Sequence, residues 1–309
     1  MGLKISVVTT LYYSEGFVPE FYSRIKKALS AITGEYEIIF VNDGSPDASA
    51  SVVLKLIEQD ARLVLVDLSR NFGHHQAIMA GLSSAKGDFI FLIDSDLEED
   101  PELLLSFWSV IHENTDVDVV YGIQQKRKGG FFERVSGQFF YKVLNLLTRF
   151  EYPANTLTAR LMKRQYVDSV LDFKEKALDI WVIFILVGYN QKGILTEKKN
   201  KGSSTYTLRR KIMIGIDTIT SFSHRPLYFI FAIGVLWSFL SIINISIILF
   251  KKWMYGAEVE GWASIMASLW LIGGVIIFLI GIVSIYLSKM FLEIKNRPTT
   301  IIKNIYRKS

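Results

Sequence analysis

Apolar positions over the first 125 residues come in short, nearly continuous runs separated by polar stretches with a helical period. KISVVTTL (4–11), EYEIIFVN (35–42), RLVLVDLS (62–69), DFIFLID (88–94) and VDVVYGI (117–123) are too short for helices and too apolar for half-exposed strands. They predict strands buried on both faces. Helical patterns fill the gaps at 17–31, about 47–59, 74–86 and about 101–114. This alternation predicts an α/β domain, Rossmann-like, with a mostly parallel sheet and right-handed crossovers. Lys4 and the run ISVVTTLYY read as the first strand rather than as a signal peptide.

The pattern changes toward the end of the chain. Residues 227–250 (LYFIFAIGVLWSFLSIINISIILF) and 261–288 (GWASIMASLWLIGGVIIFLIGIVSIYLS) carry no charge. Each is longer than the roughly 20 residues that cross a hydrocarbon core. They predict a two-helix transmembrane hairpin, with helices at about 227–250 and 264–287. Pro226 precedes the first helix, where a missing N–H costs least, and Trp253 and Trp262 flank the connecting loop as interfacial aromatics do. Arg209, Arg210, Lys211 and Arg225 lie before the hairpin; Lys289, Lys295, Arg297, Lys303, Arg307 and Lys308 lie after it. The positive-inside rule then puts both termini and the α/β domain in the cytoplasm, as part of a multi-pass protein of the cell membrane. Two further segments have apolar residues at helical spacing: Phe132, Val135, Phe139, Val143, Leu146 and Phe150 within 131–150, and Leu208, Ile212, Ile216 and Ile219 within 206–223. Both fit helices lying in the membrane surface, and both also fit core packing. The expected organisation is a cytoplasmic domain at 1–205, a juxtamembrane amphipathic helix at 206–225, the two spans within 226–288, and a basic cytoplasmic tail at 289–309.

Composition narrows the chemistry. A chain of 309 residues suggests about two units, and a mean hydropathy of +0.29 excludes a disordered chain. With no cysteine there is no disulfide scaffold, thiolate metal site or Cys nucleophile, and four histidines argue against a multi-His zinc site. The net charge of +5 suits anionic lipid or a phosphorylated ligand and does not call for nucleic acid.

In sheets of this kind ligands bind beyond the carboxyl ends of the strands. Thr10 and Tyr12 follow the first strand, NDGS (42–45) the second, SRNFG (69–73) the third and DSD (94–96) the fourth. Neither G-x-G-x-x-G nor G-x-x-x-x-G-K-[ST] is present, which counts against a dinucleotide cofactor and a P-loop. Asp94 and Asp96, two apart where a buried strand gives way to a turn, form a pair of hard oxygen donors suited to Mg2+ or Mn2+ beside a diphosphate. The same spacing fits a turn whose Asp caps the helix begun by PELLLSFW. Asp43 also fits a plain Asp-Gly turn. His74 and His75 read as residues that open a helix, with no catalytic partner.

The strings NDGSPDAS and SRNFGHHQAIMAGLSSAKGDFIFLIDSDLEEDPE resemble the family 2 inverting glycosyltransferases of GT-A fold, and within them the polyprenyl-phosphate sugar transferases. GSSTY (202–206), SFSHRPL (221–227), the two spans and IYLSKMFLEIKNRP (285–298) extend the resemblance over nearly the whole chain. It implies a nucleotide-sugar donor, by preference a UDP-sugar, a polyprenyl phosphate acceptor, by preference undecaprenyl phosphate, a divalent cation, and a homo-oligomer. It also implies roles for residues. Asp43 meets the base, Thr10 and Tyr12 line base and ribose, and Asn71 joins the substrate-binding set. Asp94 and Asp96 hold the metal, with Asp96 facing the diphosphate. Arg127 and Arg160 lie near the reaction centre, and Lys199, Ser204 and Tyr206 near the acceptor phosphate; Asp96, Arg127, Arg160 and Lys199 are the expected catalytic set.

The chain departs from that pattern in several places. Tyr13 and Ser14 replace the Asn and Glu of P-x-Y-N-E, Glu98 replaces a Gln, Thr158 stands where many members have an Asp proposed as base, and Thr205 replaces the Lys of S-K-Y. A phosphate acceptor is largely dianionic at pH 7, so it needs no base to become a nucleophile. Cations that position it matter more. Three other readings are a membrane-tethered nucleotide-sugar-binding pseudoenzyme, which the departures favour, a glycan synthase of the same superfamily, and a small transporter or scaffold. No Q-x-x-R-W string supports the synthase, and spans without charge offer a transporter no polar path.

Overall fold

The computed structural model describes residues 4–124, 156–175, 179–196, 220, 223, 225–255 and 261–308. The chain divides into two compact units, one made of residues 1–136, 152–205 and 297–309 and the other of 137–151 and 206–296.

The first unit is a mostly parallel α/β sandwich. Its elements run β1 (Ile5–Leu11), α1 (Val18–Ser30), β2 (Tyr36–Asn42), α2 (Ser49–Gln59), β3 (Leu63–Leu68), α3 (His74–Ser84), β4 (Phe89–Leu92), α4 (Leu103–Glu113) and β5 (Val119–Gln124). After these come β6 (Thr156–Lys163), α5 (Arg164–Leu171), α6 (Ile180–Leu186) and β7 (Gln191–Thr196). All seven residues of β2 are buried and β1 has six of seven buried, as strands covered on both faces require. The sheet order is β7-β5-β6-β4-β1-β2-β3-β8, where β8 (Ile302–Arg307) comes from the end of the chain. β6 and β8 run antiparallel to their neighbours.

Two apolar layers sandwich the sheet. Val18, Phe21 and Ile25 of α1, Val53 and Ile57 of α2, and Leu104, Phe107 and Ile111 of α4 pack on one face. Ala77 and Ile78 of α3, Tyr166 and Val167 of α5, and Ile183 and Phe184 of α6 pack on the other. The placement of α3 opposite α1 and α2 follows from strand order. The chain steps outward from β1 to β3, then returns past β1 to β4. A right-handed crossover in the reversed direction carries α3 to the opposite face. The reversal also creates a switch point between β1 and β4, where such sheets open a crevice.

The tail differs from a plain basic extension. Ile302–Arg307 pairs with β3, Lys308 Nζ donates to Glu58 O at 2.7 Å, and Ser69 N donates to Ile301 O at 2.9 Å. Lys303 and Arg307 keep this new edge strand charged, which discourages further pairing.

The second unit contains two long helices, α7 (Arg225–Tyr255) and α8 (Trp262–Ile294). Tyr286 of α8 donates to Ser223 O at 2.9 Å, and Leu279 lines a groove with Ile230, Phe231, Val235 and Ile242 of α7. Among the described residues one helix is long and apolar enough to cross a membrane, Ser268–Ile294, with mean hydropathy 2.5 and none of it buried. Pro226–Trp237 is a shorter apolar stretch. Both expected helices are therefore present, and one of them meets the requirements of a span by itself. The surface helix expected at 131–150 and residues 206–219 of the juxtamembrane helix lie outside the described residues.

Candidate active site

The carboxyl ends of β1, β2 and β4 lie side by side, since β1 pairs with both others. Each ends in a loop held by hydrogen bonds to its neighbours. Asp43 N donates to Leu11 O at 3.1 Å, and Tyr13 N donates to Ser45 Oγ at 2.8 Å. Ser95 Oγ donates to Thr10 O at 2.9 Å across the switch point. Two non-glycine residues have left-handed backbones on either side of it, Tyr13 with φ 55° and Leu97 with φ 60°. Such strain persists where surrounding bonds over-determine a loop, and it concentrates at functional sites.

Asp43 is 3% exposed. Its Oδ1 accepts from Phe72 N at 2.7 Å and its Oδ2 from Gly73 N at 3.0 Å. Burial raises its pKa, and the two N–H donors offset only part of that rise. The neighbouring Gly44, φ +62°, leaves no room for a side chain: a Cβ would lie 2.5 Å from Asn71 N. Gly73, φ +101°, supplies one of the two N–H donors and precedes α3. The Asp-Gly turn and the 70–73 loop are thus built against each other. Asn71 is exposed there.

Asp94 and Asp96 follow β4 and are half-buried. Asp94 Oδ2 accepts from Thr158 Oγ1 at 2.7 Å, and His74 Nε2 stands 3.6 Å from Oδ1. The other nitrogen of His74, Nδ1, is 3.2 Å from Thr10 Oγ1. His74 opens α3 as expected, and its ring lies between Thr10 at the end of β1 and Asp94 after β4. Its place just after the Gly73 that opens the helix was the one signal of that placement. Asp96 Oδ1 accepts from Glu98 N at 3.0 Å. Neither aspartate caps the following helix, whose N-cap is Glu102 with no side-chain bond, so the capping alternative is not realised.

Two carboxylates at a crevice rim suit a hard divalent cation that completes its shell with diphosphate and water oxygens. Among the described residues no third His, Cys, Asp or Glu joins them to make a closed protein cage. The donor set therefore fits a cation shared with a phosphorylated ligand.

Thr10 is half-buried at the end of β1; Tyr12 and Tyr13 beside it are 52% and 61% exposed, with ring centroids 4.9 Å apart. The structure thus brings Thr10, Asp94 and Asp96 to one rim, with Tyr12 and Asp43 in the adjoining loops. Arg160 is placed differently. It is 2% exposed, its guanidinium carbon lies 3.7 Å from the Phe184 ring centroid and 4.9 Å from that of Trp181, and Nε has no hydrogen-bond partner among the described residues. Burial pulls its pKa down to about 10, which still leaves it charged at neutral pH. Arg127, Lys199, Ser204 and Tyr206 lie outside the described residues. Glu99, which sequence reasoning did not single out, is 1% exposed and accepts from Thr158 N at 3.0 Å and Ala159 N at 2.6 Å.

Residues 6–171 match the family described as Glycosyl transferase family 2. A Mycobacterium tuberculosis (strain CDC 1551 / Oshkosh) protein, described no further than as a glycosyltransferase, is 44% identical over 304 residues, covering 98% of this chain and 89% of its own. The bactoprenol glucosyl transferase of Shigella phage SfII is 30% identical over 318 residues, covering 99% of each chain. Among solved structures, mannosyltransferase PcManGT from Pyrobaculum calidifontis, in complex with GDP-Man and Mn2+, is similar with a TM-score of 0.49 and 14% identity over 94% of this chain and 86% of that one.

Proposed function

This chain belongs to glycosyl transferase family 2 and is a glycosyltransferase, and on that premise we propose that it transfers a sugar from a nucleotide-sugar to a polyprenyl phosphate at the cytoplasmic face of the cell membrane, inverting the anomeric centre. The donor is a UDP-sugar and the acceptor undecaprenyl phosphate. The observation that carries this reading is the half-buried pair Asp94 and Asp96 at the β1/β4 switch point, in a chain similar along its whole length to proteins named bactoprenol glucosyl transferase. The apolar stretches Ser268–Ile294 and Pro226–Trp237 support a membrane anchor of two helices, with the α/β domain and both termini on the side of the basic residues.

Each residue has a part to play in this reading. Tyr12 presents an exposed ring to the base, and Thr10 lines the ribose beside it. Asp43 shapes that pocket by holding the 72–73 backbone, with Asn71 at its rim. Asp94 and Asp96 would hold Mg2+ or Mn2+ together with the diphosphate. The cation, when bound, acts as a Lewis acid that stabilises charge on the departing nucleoside diphosphate. The acceptor phosphate is already a dianion and attacks the anomeric carbon without losing a proton. Arg127, Lys199, Ser204 and Tyr206 orient that phosphate, and Arg160 supports it through the positive field of a buried charge.

Incubating the full-length protein with labelled UDP-sugars, undecaprenyl phosphate and Mn2+, then extracting the lipid, tests the reading directly. The expected product is a labelled lipid that mild acid hydrolyses to the free sugar. Nucleotide binding with no labelled lipid over a broad panel of UDP- and GDP-sugars would refute it.

A further inference from the structure

The two oxygens of Asp94 are treated unequally. Thr158 donates its only hydroxyl proton to Oδ2 at 2.7 Å, whereas His74 stands 3.6 Å from Oδ1, beyond hydrogen-bond reach. Rotation of the carboxylate about Cβ–Cγ is therefore set from the Thr158 side. Thr158 is itself immobilised. It is 7% exposed, and Glu99 grips its strand through the N–H groups of Thr158 and Ala159. Glu99 belongs to the same loop as Asp94 and Asp96. Loop and strand thus hold each other twice, once through the Glu99 carboxylate and once through the Thr158 hydroxyl.

We propose that Thr158 is a positioning residue. Acting through Asp94, it sets the carboxylate in the orientation that holds the divalent cation, and Glu99 keeps Thr158 in place to do so. The inference rests on the reading that Asp94 and Asp96 hold a cation. A hydroxyl here supplies what a carboxylate could not: a donor to Asp94, in place of a second negative charge at contact distance. Partners of metal-ligating carboxylates characteristically act in this way.

The test titrates Mn2+ into the full-length protein in detergent with UDP present and follows free Mn2+ by electron paramagnetic resonance. Thr158→Val keeps the shape and removes the donor; Thr158→Ala removes it without adding a methyl; Thr158→Ser restores it. Valine and alanine should each weaken Mn2+ binding by about ten- to a hundredfold, and serine should return it to within about threefold of wild type. The Mn2+ concentration for half-maximal transfer should move with the affinity, while kcat at saturating Mn2+ stays within about twofold. Unchanged Mn2+ affinity in the valine and alanine variants, or a loss that serine does not repair, overturns the positioning role. Asp96→Ala separates this failure from that of the underlying reading. If the wild type binds Mn2+ and Asp96→Ala does not, the cation site stands whatever Thr158 shows. If Asp96→Ala binds like wild type, or the wild type binds none, both fall.

Discussion

Asp43 and Asp94 occupy matching places on either side of β1, one just past the end of β2 and the other just past β4. Both are acids at the rim where such sheets bind ligands, and by residue type they look equivalent. Their surroundings are not. Asp43 is 3% exposed, and both its oxygens take backbone N–H bonds from the 72–73 loop. Asp94 has a side chain 28% exposed and, among the described residues, a single hydrogen bond, from a hydroxyl. Burial raises the pKa of Asp43, and the two backbone N–H donors together with the nearby His74 and Arg70 offset only part of that rise. On the proposed reading, then, Asp43 builds the rim, and Asp94 and Asp96 work at it. Position at the carboxyl edge selects candidates; hydrogen-bond occupancy separates scaffold from chemistry.

The sharpest way to break that distinction is to delete an acid from each side. Asp96→Ala should reduce sugar transfer by at least about a hundredfold, as loss of charge stabilisation at a reacting centre does, with little change in melting temperature. Asp43→Ala should do the reverse first. It leaves two backbone N–H groups without their acceptor, at about 1–3 kcal/mol each. Its melting temperature should fall by several degrees, measured in detergent by tryptophan fluorescence. Equal melting temperatures for Asp43→Ala and wild type would show that the 72–73 loop does not depend on this carboxylate.

The same contrast marks how much was legible in the amino-acid sequence. The β1–β4 region was readable because strands buried on both faces must be apolar throughout: the runs at 4–11 and 35–42 became Ile5–Leu11 and Tyr36–Asn42. β6 hid because its sequence, TLTARLMK, breaks the apolar run with a charge. Ala159 and Leu161 pack on one face, while Arg160 spends its charge under the rings of Phe184 and Trp181 on the other. β8 hid for a different reason, being six exposed residues whose partner β3 lies more than 230 positions away. At the site, Asp43, Asp94 and Asp96 were legible from type and place. The pairings Thr158–Asp94, His74–Asp94 and Glu99 to the backbone of β6 were not, since each joins segments that only the tertiary fold brings together.

A pH series sharpens the comparison within one loop. Asp47 lies four residues beyond Asp43, yet its pKa moves the opposite way. Burial works against its charge, but the hydroxyls of Ser45 and Ser49 and the N–H groups of Glu15 and Ser49 hold it at about 2, against an ordinary 3.8. A lowered pKa adds stability that is whole above the ordinary value and lost as pH falls toward the lowered one. Asp43, with a raised pKa, adds stability that is whole below the ordinary value and lost as pH climbs through the raised one. Asp47→Asn should therefore melt below wild type at pH 5 and above, and the gap should close as pH falls from about 4 to about 2. A gap that stays constant through that window would mean that Asp47 does not titrate with unfolding.

The smallest expected effect belongs to His74, and it tests where the working side of the rim ends. His74 touches both regions, reaching Thr10 Oγ1 at 3.2 Å and standing 3.6 Å from Asp94 Oδ1. Its side chain is 42% exposed, so removing it uncovers little apolar surface. If Thr158 alone orients Asp94, His74→Ala loses the hydrogen bond to Thr10 and a weak contact to the carboxylate. A neutral hydrogen bond contributes about 0.5–1.5 kcal/mol, so kcat/KM for sugar transfer should fall by about two- to tenfold. Mn2+ affinity in the presence of UDP should stay within about twofold of wild type, because 3.6 Å is beyond hydrogen-bond reach of the ligating carboxylate. His74→Ala would break the comparison by matching the loss expected of Asp96→Ala. The imidazole would then belong to the reacting site, and α3, whose first residue is His74, would carry chemistry as well as cover the sheet.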